Sequence, residues 1–199
     1  GVNALNNNAT TFKNEVLAMQ AVVSGTLSSY LPVANSSRSD NSYSKEAVMN
    51  STNSIDMQTW RIDYDYLKTM GMELAAGRNF SKEYGTDSSA IIITETTAKL
   101  LGYTDAIGKM LYLPSGNGAG SASTALKIIG VLKDFHFESL HNKLGPLCMV
   151  LGDKASLASF KIEAANAKTL IPKIESKWNA LAPGMPFSYR FMSESFDEM

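Results

Sequence analysis

The segment RIDYDYLKTMGMELAAGRNFS, residues 61–81, constrains the fold strongly because it specifies several short elements in succession. Asp63 is predicted to cap a short helix, because its carboxylate can accept hydrogen bonds from the free N–H groups at a helix start. Tyr64 and Leu67 then share one face, since residues three apart are neighbours on a helix surface. Gly71 is predicted to end the helix in the left-handed conformation.

The second half of this segment predicts a strand, a turn and an apolar anchor. Met72 and Leu74 alternate with Gly71 and Glu73, as on a short half-buried strand. Gly77 is predicted to turn the chain, and Phe80 to anchor it. Arg78 can pair with a phosphate or an acidic group, for which Asp63 is the expected partner. The segment contains no nucleophile–base pair and no set of metal ligands, which points away from an enzyme.

The charge composition is unlike that of a nucleic-acid-binding protein, so we expect no nucleic-acid partner. The 199 residues include 18 Lys and Arg and 19 Asp and Glu, for a net charge of -1. Nucleic-acid binders are usually basic, with cations clustered on one face, whereas here the cations are scattered. The single cysteine, Cys148, excludes an intrachain disulfide and a cysteine-based zinc site. No apolar run reaches the roughly 18–20 residues of a membrane helix.

The rest of the sequence predicts short strands and helices of an α+β protein. Thr94 is predicted to cap a helix that ends at Gly102. Gly130, inside the strand-like run KIIGVL, predicts a bulge or a close backbone approach. The other predicted elements are a strand tail at 2–5, a helix from Thr10 or Thr11, a long exposed loop at 34–46, a helix capped by Thr169, and strands at 22–31, 57–62, 90–93, 110–113, 126–132, 147–151, 160–163 and 187–192.

Both ends of the sequence have the character of cuts in a longer chain. Residue 1 is Gly rather than Met, and no basic-then-apolar leader follows it. Ser195 and Glu198 have the spacing of a capping box, so a helix is predicted to start just before the sequence stops. We interpret the sequence as a piece of a longer protein, with a frayed terminus on a complete domain as the alternative.

His136 lies in the pattern that most resembles a catalytic site. Asp134 precedes it by two positions and Glu138 follows it by two, so all three side chains would share one face of a strand. A carboxylate beside a histidine is the geometry of a general base or a metal site. The alternative is a solvated strand end without a chemical role, and His141 lacks a common zinc-ligand spacing to His136.

Three blocks resemble the extracytoplasmic domain of MacB/FtsX-like ABC transporter permeases, in the Bacteroidetes-type form. Residues 63–81 resemble a segment written roughly D-Y-x-x-x-x-G-M-x-x-x-x-G-R-x-F, and residues 89–111 resemble the block after it. Residues 127–149 resemble V-I-G-V-V-x-D-F-H-F-x-S-L. Ala106 stands where the family usually has Pro. The motif residues carried over are Asp63, Tyr64, Gly71, Gly77, Arg78, Phe80, Gly130, Asp134, Phe135 and His136.

The resemblance implies a two-lobed α+β fold. Residues 1–62 and 130–199 are expected to form a porter-like lobe with two βαβ-type units. Residues 63–129 are expected to form a smaller inserted α/β lobe, called the sabre in MacB.

The resemblance also implies a non-catalytic role outside the cytoplasm. The domain is expected to face the periplasm, tethered to the cell inner membrane by helices of a dimeric, membrane-embedded permease. It is expected to need no cofactor, because a separate cytoplasmic ABC ATPase uses the ATP. It is expected to transmit the ATP-driven motion of the membrane helices to a periplasmic adaptor, lipoprotein or cell-wall hydrolase, for export, lipoprotein extraction or hydrolase control.

Two polar loops are candidate contacts for such a partner, and solvated loops without a partner are the alternative. The glycines of the second loop do not form a phosphate-binding loop, because no Lys-Ser/Thr follows them. Two other functions stay open: a ligand-sensing domain, which needs a closed pocket, and a hydrolase centred on His136, which needs a perturbed-pKa cluster. The candidate contact residues are Asn35, Ser36, Ser37, Arg38, Gly116, Asn117 and Gly118.

Overall fold

The protein has the predicted α+β fold, with short strands and helices along the whole described chain. The structure is a computed structural model that describes residues 2–31, 39–50, 52–114, 123–135, 145–152 and 156–192. The strands are β1 (Val22–Ser28), β2 (Asp40–Ser44), β3 (Ser54–Ile62), β4 (Leu74–Gly77), β5 (Ala90–Thr94), β6 (Met110–Pro114), β7 (Ser123–Leu132), β8 (Leu147–Leu151) and β9 (Leu157–Ile162). The helices are α1 (Ala9–Leu17), α2 (Tyr66–Met70), α3 (Glu95–Leu100) and α4 (Ala167–Leu181), with 3-10 turns at Val2–Asn8, Gly85–Ser89 and Ala164–Asn166.

Six of the strands close into a ring, because β2 pairs with both β6 and β3. The order around the ring is β2-β6-β7-β5-β8-β3. Outside the ring, β1 pairs with β3, β9 pairs with β1, and β4 pairs with β7. The ring takes strands from both predicted lobes, and the predicted boundary between residues 129 and 130 falls inside β7. The division into a porter-like lobe and a sabre-like lobe stays a prediction.

Alternate residues of a strand point to opposite faces, and the ring strands therefore support two separate cores. The inner core receives side chains from all six ring strands, and Ala98 and Leu101 of the α3 region close it. The outer core lies between the ring and α2. The third core lies between α1, α4 and the strands β1 and β9. The inner core contains Tyr43, Met57, Ile91, Ile93, Leu111, Leu126, Ile128 and Cys148, the outer core Trp60, Ile62, Tyr66, Leu67, Phe80, Leu132 and Met149, and the third core Phe12, Val16, Leu27, Leu170, Ile174 and Trp178.

Helix-end signals in the sequence are confirmed at both ends of α3 and after α2. Gly71 follows α2 in the left-handed conformation, with φ of 69°. Thr94 caps α3, because its hydroxyl accepts a hydrogen bond from Thr97 N at 3.2 Å. Gly102 ends this helical segment with φ of 74°. These signals depend only on neighbouring residues, which is why the sequence shows them.

Two predictions near the N-terminus are wrong. Residues 2–5 belong to the 3-10 turn Val2–Asn8 and not to a strand. Val2 and Leu5 are both buried, and their spacing of three places them on one side of a 3-10 helix. The predicted loop at 34–46 contains β2, in which Tyr43 is buried in the inner core while the backbone pairs with β3.

Two predictions near the C-terminus are also wrong. Helix α4 begins at Ala167, so Pro172 lies inside it, and Thr169 donates to Asn166 O at 2.9 Å and does not cap it. Residues 187–191 join no strand among the described residues. The rings of Phe187, Tyr189 and Phe191 contact one another in sequence instead, with centroid distances of 5.8 Å. Strand β9, which precedes α4, pairs antiparallel with β1 and with no parallel strand among the described residues.

Candidate functional site

Asp63 is the centre of a polar cluster that joins three elements, and it does not cap α2 as predicted. Helix α2 begins at Tyr66, after Asp65, which makes no side-chain cap hydrogen bond. The Asp63 carboxylate accepts hydrogen bonds from Lys13 Nζ at 2.6 Å, Leu27 N at 2.9 Å and the Thr26 hydroxyl. These strong donors lie on α1 and β1, and together they orient the carboxylate away from the helix start. Its one contact on the α2 side is with Asp65 N, at 3.1 Å.

Lys13 is the cation of this cluster, which we call the Lys13 hub (Lys13, Thr26, Asp63 and Asp65). Its ammonium lies 2.6 Å from an oxygen of each aspartate, and its side chain is only 9% exposed. Burial disfavours the charged form of Lys13, but the hydrogen bonds and charges of the two aspartates outweigh it, and the pKa of Lys13 is raised. The hub therefore holds α1 to the corner where β3 leads into α2.

Lys13 was not recognised from the sequence as a functional residue, although one signal for it exists. It lies next to Phe12 and three residues before Val16, and all three side chains are buried. A lysine on the buried side of an amphipathic helix is rarely buried without a charged partner. The identity of that partner, 50 positions away, could not be read from local spacing.

Arg78 pairs with Asp87, so the prediction that Asp63 is its partner is wrong. The guanidinium donates two hydrogen bonds to the carboxylate, at 2.8 and 2.7 Å, and lies 4.0 Å from the centre of the Tyr84 ring. Ser81 N donates to the same carboxylate at 2.8 Å. The Arg78 hydrogen bonds outweigh burial, and they lower the pKa of Asp87. Asp87 lies nine residues after Arg78, and its carboxylate accepts both donors of the planar guanidinium. The carboxylate of Asp63 accepts its hydrogen bonds from the Lys13 hub instead.

The glycines of the motif allow two backbone segments to approach closely. Gly77 has φ of 74°, and a Cβ there would lie 2.2 Å from Ile129 O. Gly130 lies where the pairing of β5 with β7 skips a residue, and a Cβ there would lie 2.5 Å from Arg78 O. The structure therefore confirms both the bulge and the close approach predicted at Gly130. Phe80 is buried in the outer core, and Tyr64 packs against it.

The family pattern also locates two further residues of this corner. Counted back from Gly71, the spacing D-Y-x-x-x-x-G-M places its first pair on Asp65 and Tyr66 and not on Asp63 and Tyr64. Tyr66 is fully buried, and its hydroxyl donates to Tyr30 O at 3.2 Å. The pattern thus marks one residue of the hub and one of the outer core.

Asp134 holds the end of β7 to the start of α3. Its two carboxylate oxygens accept from Thr96 N at 3.0 Å and from the Thr96 hydroxyl at 2.8 Å. The ring of Phe135 lies 5.7 Å from that of Trp60. His136 lies outside the described residues, so its role as a general base stays a hypothesis. Asp134 is positioned as an anchor of the α3 N-terminus.

Other predicted site residues also lie outside the described part of the chain. These are the seven candidate partner contacts, namely Asn35, Ser36, Ser37, Arg38, Gly116, Asn117 and Gly118. Within the described ranges, no three His, Cys, Asp or Glu side chains form a group able to hold a metal ion. None of the described helices is both long enough and apolar enough to cross a membrane.

Comparison with solved structures shows which proteins share this fold. The extracellular domain of the noncanonic ABC-type transporter YknZ from Gram-positive bacteria is similar, with 17% identity, a TM-score of 0.60, and coverage of 85% of this chain and 81% of that one. The periplasmic region of MacB from Actinobacillus actinomycetemcomitans has 13% identity, a TM-score of 0.66, and coverage of 95% and 81%. A domain of a protein named as a permease from Porphyromonas gingivalis has 15% identity, a TM-score of 0.57, and coverage of 83% and 68%. The fold is thus that of extracytoplasmic transporter domains.

The family itself is shown by a sequence model. The model of the MacB-like periplasmic core domain matches residues 3–161, and the chain belongs to this family. It is an extracytoplasmic domain of a MacB/FtsX-type ABC transporter permease. Because the family is a component of ABC transporters, a membrane-linked ATPase is implied as a partner. No curated protein sequence matches the chain.

Proposed function

We propose that this domain transmits the ATP-driven motion of the permease's membrane helices to a periplasmic substrate or partner. In this proposal the domain performs no catalysis and binds no cofactor of its own, since a separate cytoplasmic ATPase hydrolyses the ATP. The permease lies in the cell inner membrane as a dimer, and the domain faces the periplasm. The partner is an adaptor, a lipoprotein or a cell-wall hydrolase.

The Lys13 hub is the observation that carries this proposal. A domain that transmits motion must keep its elements together when one of them is displaced. The hub joins α1, near the N-terminal end of the chain, to β1 and to the corner between β3 and α2 through charge-assisted hydrogen bonds. Because β3 belongs to the ring, a displacement of α1 is passed to the ring and is not absorbed at a loose contact.

The experiment compares the movement of α1 with that of α2 in the reconstituted full-length permease with its ATPase. Single fluorophores are attached at Asn14→Cys on α1 or Lys68→Cys on α2, both exposed positions. The native Cys148 does not compete, because it is fully buried and burial raises the pKa of its thiol to about 11. Acceptor-labelled lipids in the outer leaflet then report the height of each position above the membrane before and after ATP is added.

We expect ATP to change the energy transfer from both positions together. In Lys13→Met, the change at Asn14 is expected to persist while the change at Lys68 is reduced, because α1 is no longer joined to the corner. Lys133→Met is the matched control, because it removes a lysine from an exposed ion pair and leaves both changes intact. An ATP-independent signal at both positions in the wild-type permease would overturn the proposal.

A further inference from the structure

A surface cleft of about 580 Å³ lies beside the Arg78–Asp87 pair, and no residue of the Lys13 hub lines it. Its walls come from the end of β4, the turn before β5, the start of β6 and the middle of β7. The volume is within the range of about 300–1,000 Å³ that is usual for ligand sites. Neither the hub nor the transmission of motion requires such a cleft.

The water-facing charge of the cleft is positive. Asp87 is the one carboxylate among the residues that line it, and its side chain is 1% exposed and accepts hydrogen bonds from Arg78 and Ser81 N. Lys127 is exposed on β7 and forms no ion pair with any described residue. An incoming carboxylate therefore meets a cation whose charge no neighbour in the described part of the chain neutralises.

The remaining lining combines aliphatic surface with hydroxyl groups. Ile107 and Met110 give the cleft an apolar wall that is partly open to water, and Thr86 and Ser89 are exposed at its rim. A small inorganic anion would contact only the ammonium group of Lys127. A peptide can place a carboxylate on Lys127, an aliphatic side chain on Ile107, and backbone groups against the two hydroxyls.

We propose that this cleft binds a short acidic peptide segment of a partner protein, with a Glu or Asp side chain at Lys127 and an adjacent aliphatic side chain at Ile107 and Met110. The proposal is independent of the transmission of motion. A domain that binds the peptide but does not transmit motion would support the peptide site and contradict the proposed function. A domain that transmits motion but does not bind the peptide would do the reverse.

The test is an amide NMR titration of the nitrogen-15-labelled 199-residue chain with acetyl-Ala-Leu-Glu-Ala-amide. Saturable shifts are expected at Thr86, Ser89 and Lys127, with a dissociation constant of about 1 mM or lower. Lys127→Glu is expected to weaken binding at least about tenfold, because it places a like charge against the peptide. Lys99→Glu makes the same charge change at an exposed position of α3 outside the cleft and is expected to bind as the wild type does.

Two further arms exclude other occupants. The peptide acetyl-Ala-Leu-Gln-Ala-amide is expected to bind at least about tenfold more weakly than the Glu peptide if the carboxylate is recognised. Ile107→Ala is expected to weaken the Leu-containing peptide but not its Ala-containing analogue. Equal binding of sodium acetate and the Glu peptide would show a bare anion site and overturn the proposal, as would shifts that Lys127→Glu leaves unchanged.

Discussion

The Lys13 hub and the Lys133–Glu73 pair use the same chemistry at the same distance in opposite surroundings. In both, a lysine Nζ lies 2.6 Å from a carboxylate oxygen. The Lys13 and Asp63 side chains are 9% and 16% exposed, whereas those of Lys133 and Glu73 are 56% and 70% exposed. Distance alone therefore says little about what each contact does for the fold.

The difference lies in what replaces a lost partner. Around Lys133 and Glu73, water and salt can solvate either charge, so the pair contributes little. Around Asp63, a lost lysine leaves a carboxylate in a largely buried place, and the desolvation cost is no longer offset. The hub joins α1 to the corner between β3 and α2, whereas the exposed pair links the residue before β4 to the residue after β7, and the backbones of β4 and β7 already pair there.

Lys13→Met should give the largest effect in this comparison. Methionine keeps most of the apolar stem but removes the ammonium, so Asp63 stays buried without its cation. We expect the free energy of unfolding to fall by about 3–5 kcal/mol, as for breaking one partner of a buried pair. Urea denaturation followed by circular dichroism measures this change. A loss no larger than that of Lys133→Met would show that burial does not separate the two sites.

Alkaline pH should weaken the hub without any mutation. The pKa of Lys13 is raised above its ordinary value of 10.5. The contribution of Lys13 is therefore fully present below pH 10.5 and is lost as the pH rises through the higher folded-state pKa. We expect the difference in unfolding free energy between the wild type and Lys13→Met to be constant near neutrality and to narrow above pH 10.5. Other groups that titrate there are common to both proteins and cancel in the difference.

The sequence predicted those parts of the molecule that depend on near neighbours. Gly71 and the Thr94 cap are determined within a few residues, by left-handed backbone or by a hydroxyl at a helix start. The buried runs at 90–93 and 147–151 likewise became β5 and β8. At Gly130, the absence of a side chain within an apolar strand predicted a bulge or a close backbone approach, and the structure has both, with Arg78 O as the near neighbour.

The sequence did not predict contacts that depend on how distant elements meet. Asp63 carries the local signature of a helix cap, but Lys13, Thr26 and Leu27 reach it only after α1 and β1 have packed. The closure of the ring is determined by β2, whose sequence DNSYS is too polar for its one buried aromatic residue, Tyr43, to mark a strand. Residues 187–191 alternate like a strand, yet ring contacts replace strand pairing.

The Arg78–Asp87 pair provides an intermediate case, because Asp87 is buried while Arg78 is 36% exposed. Asp87→Asn should lower the free energy of unfolding by about 1–3 kcal/mol, the cost of weakened hydrogen bonds to a charged group, because water can still solvate Arg78. The pKa of Asp87 is lowered from 3.8 by Arg78. The stability that Asp87 contributes is therefore present above pH 3.8 and is lost as the pH falls through the lower folded-state pKa.

Acid denaturation measured on both proteins checks that sign. The difference between the wild type and Asp87→Asn should be constant at neutral pH and should shrink below pH 3.8. A difference that instead grows in acid would mean that the carboxylate is held protonated in the folded protein, contrary to its bidentate contact with Arg78.

Lys133→Met should have the smallest effect and is the strictest test of the comparison. Glu73 and Lys133 are more than half exposed. The hydrogen bond between them lowers the pKa of Glu73 and raises the pKa of Lys133. Water replaces that hydrogen bond at once, so the urea midpoint should stay within the scatter of repeated measurements. Raising the salt concentration should also leave the wild type and the variant indistinguishable, since salt screens what attraction remains. A destabilisation comparable to that of Lys13→Met would mean that a 2.6 Å contact stabilises this fold regardless of exposure. Burial would then no longer distinguish the Lys13 hub as the contact that holds α1 to the ring.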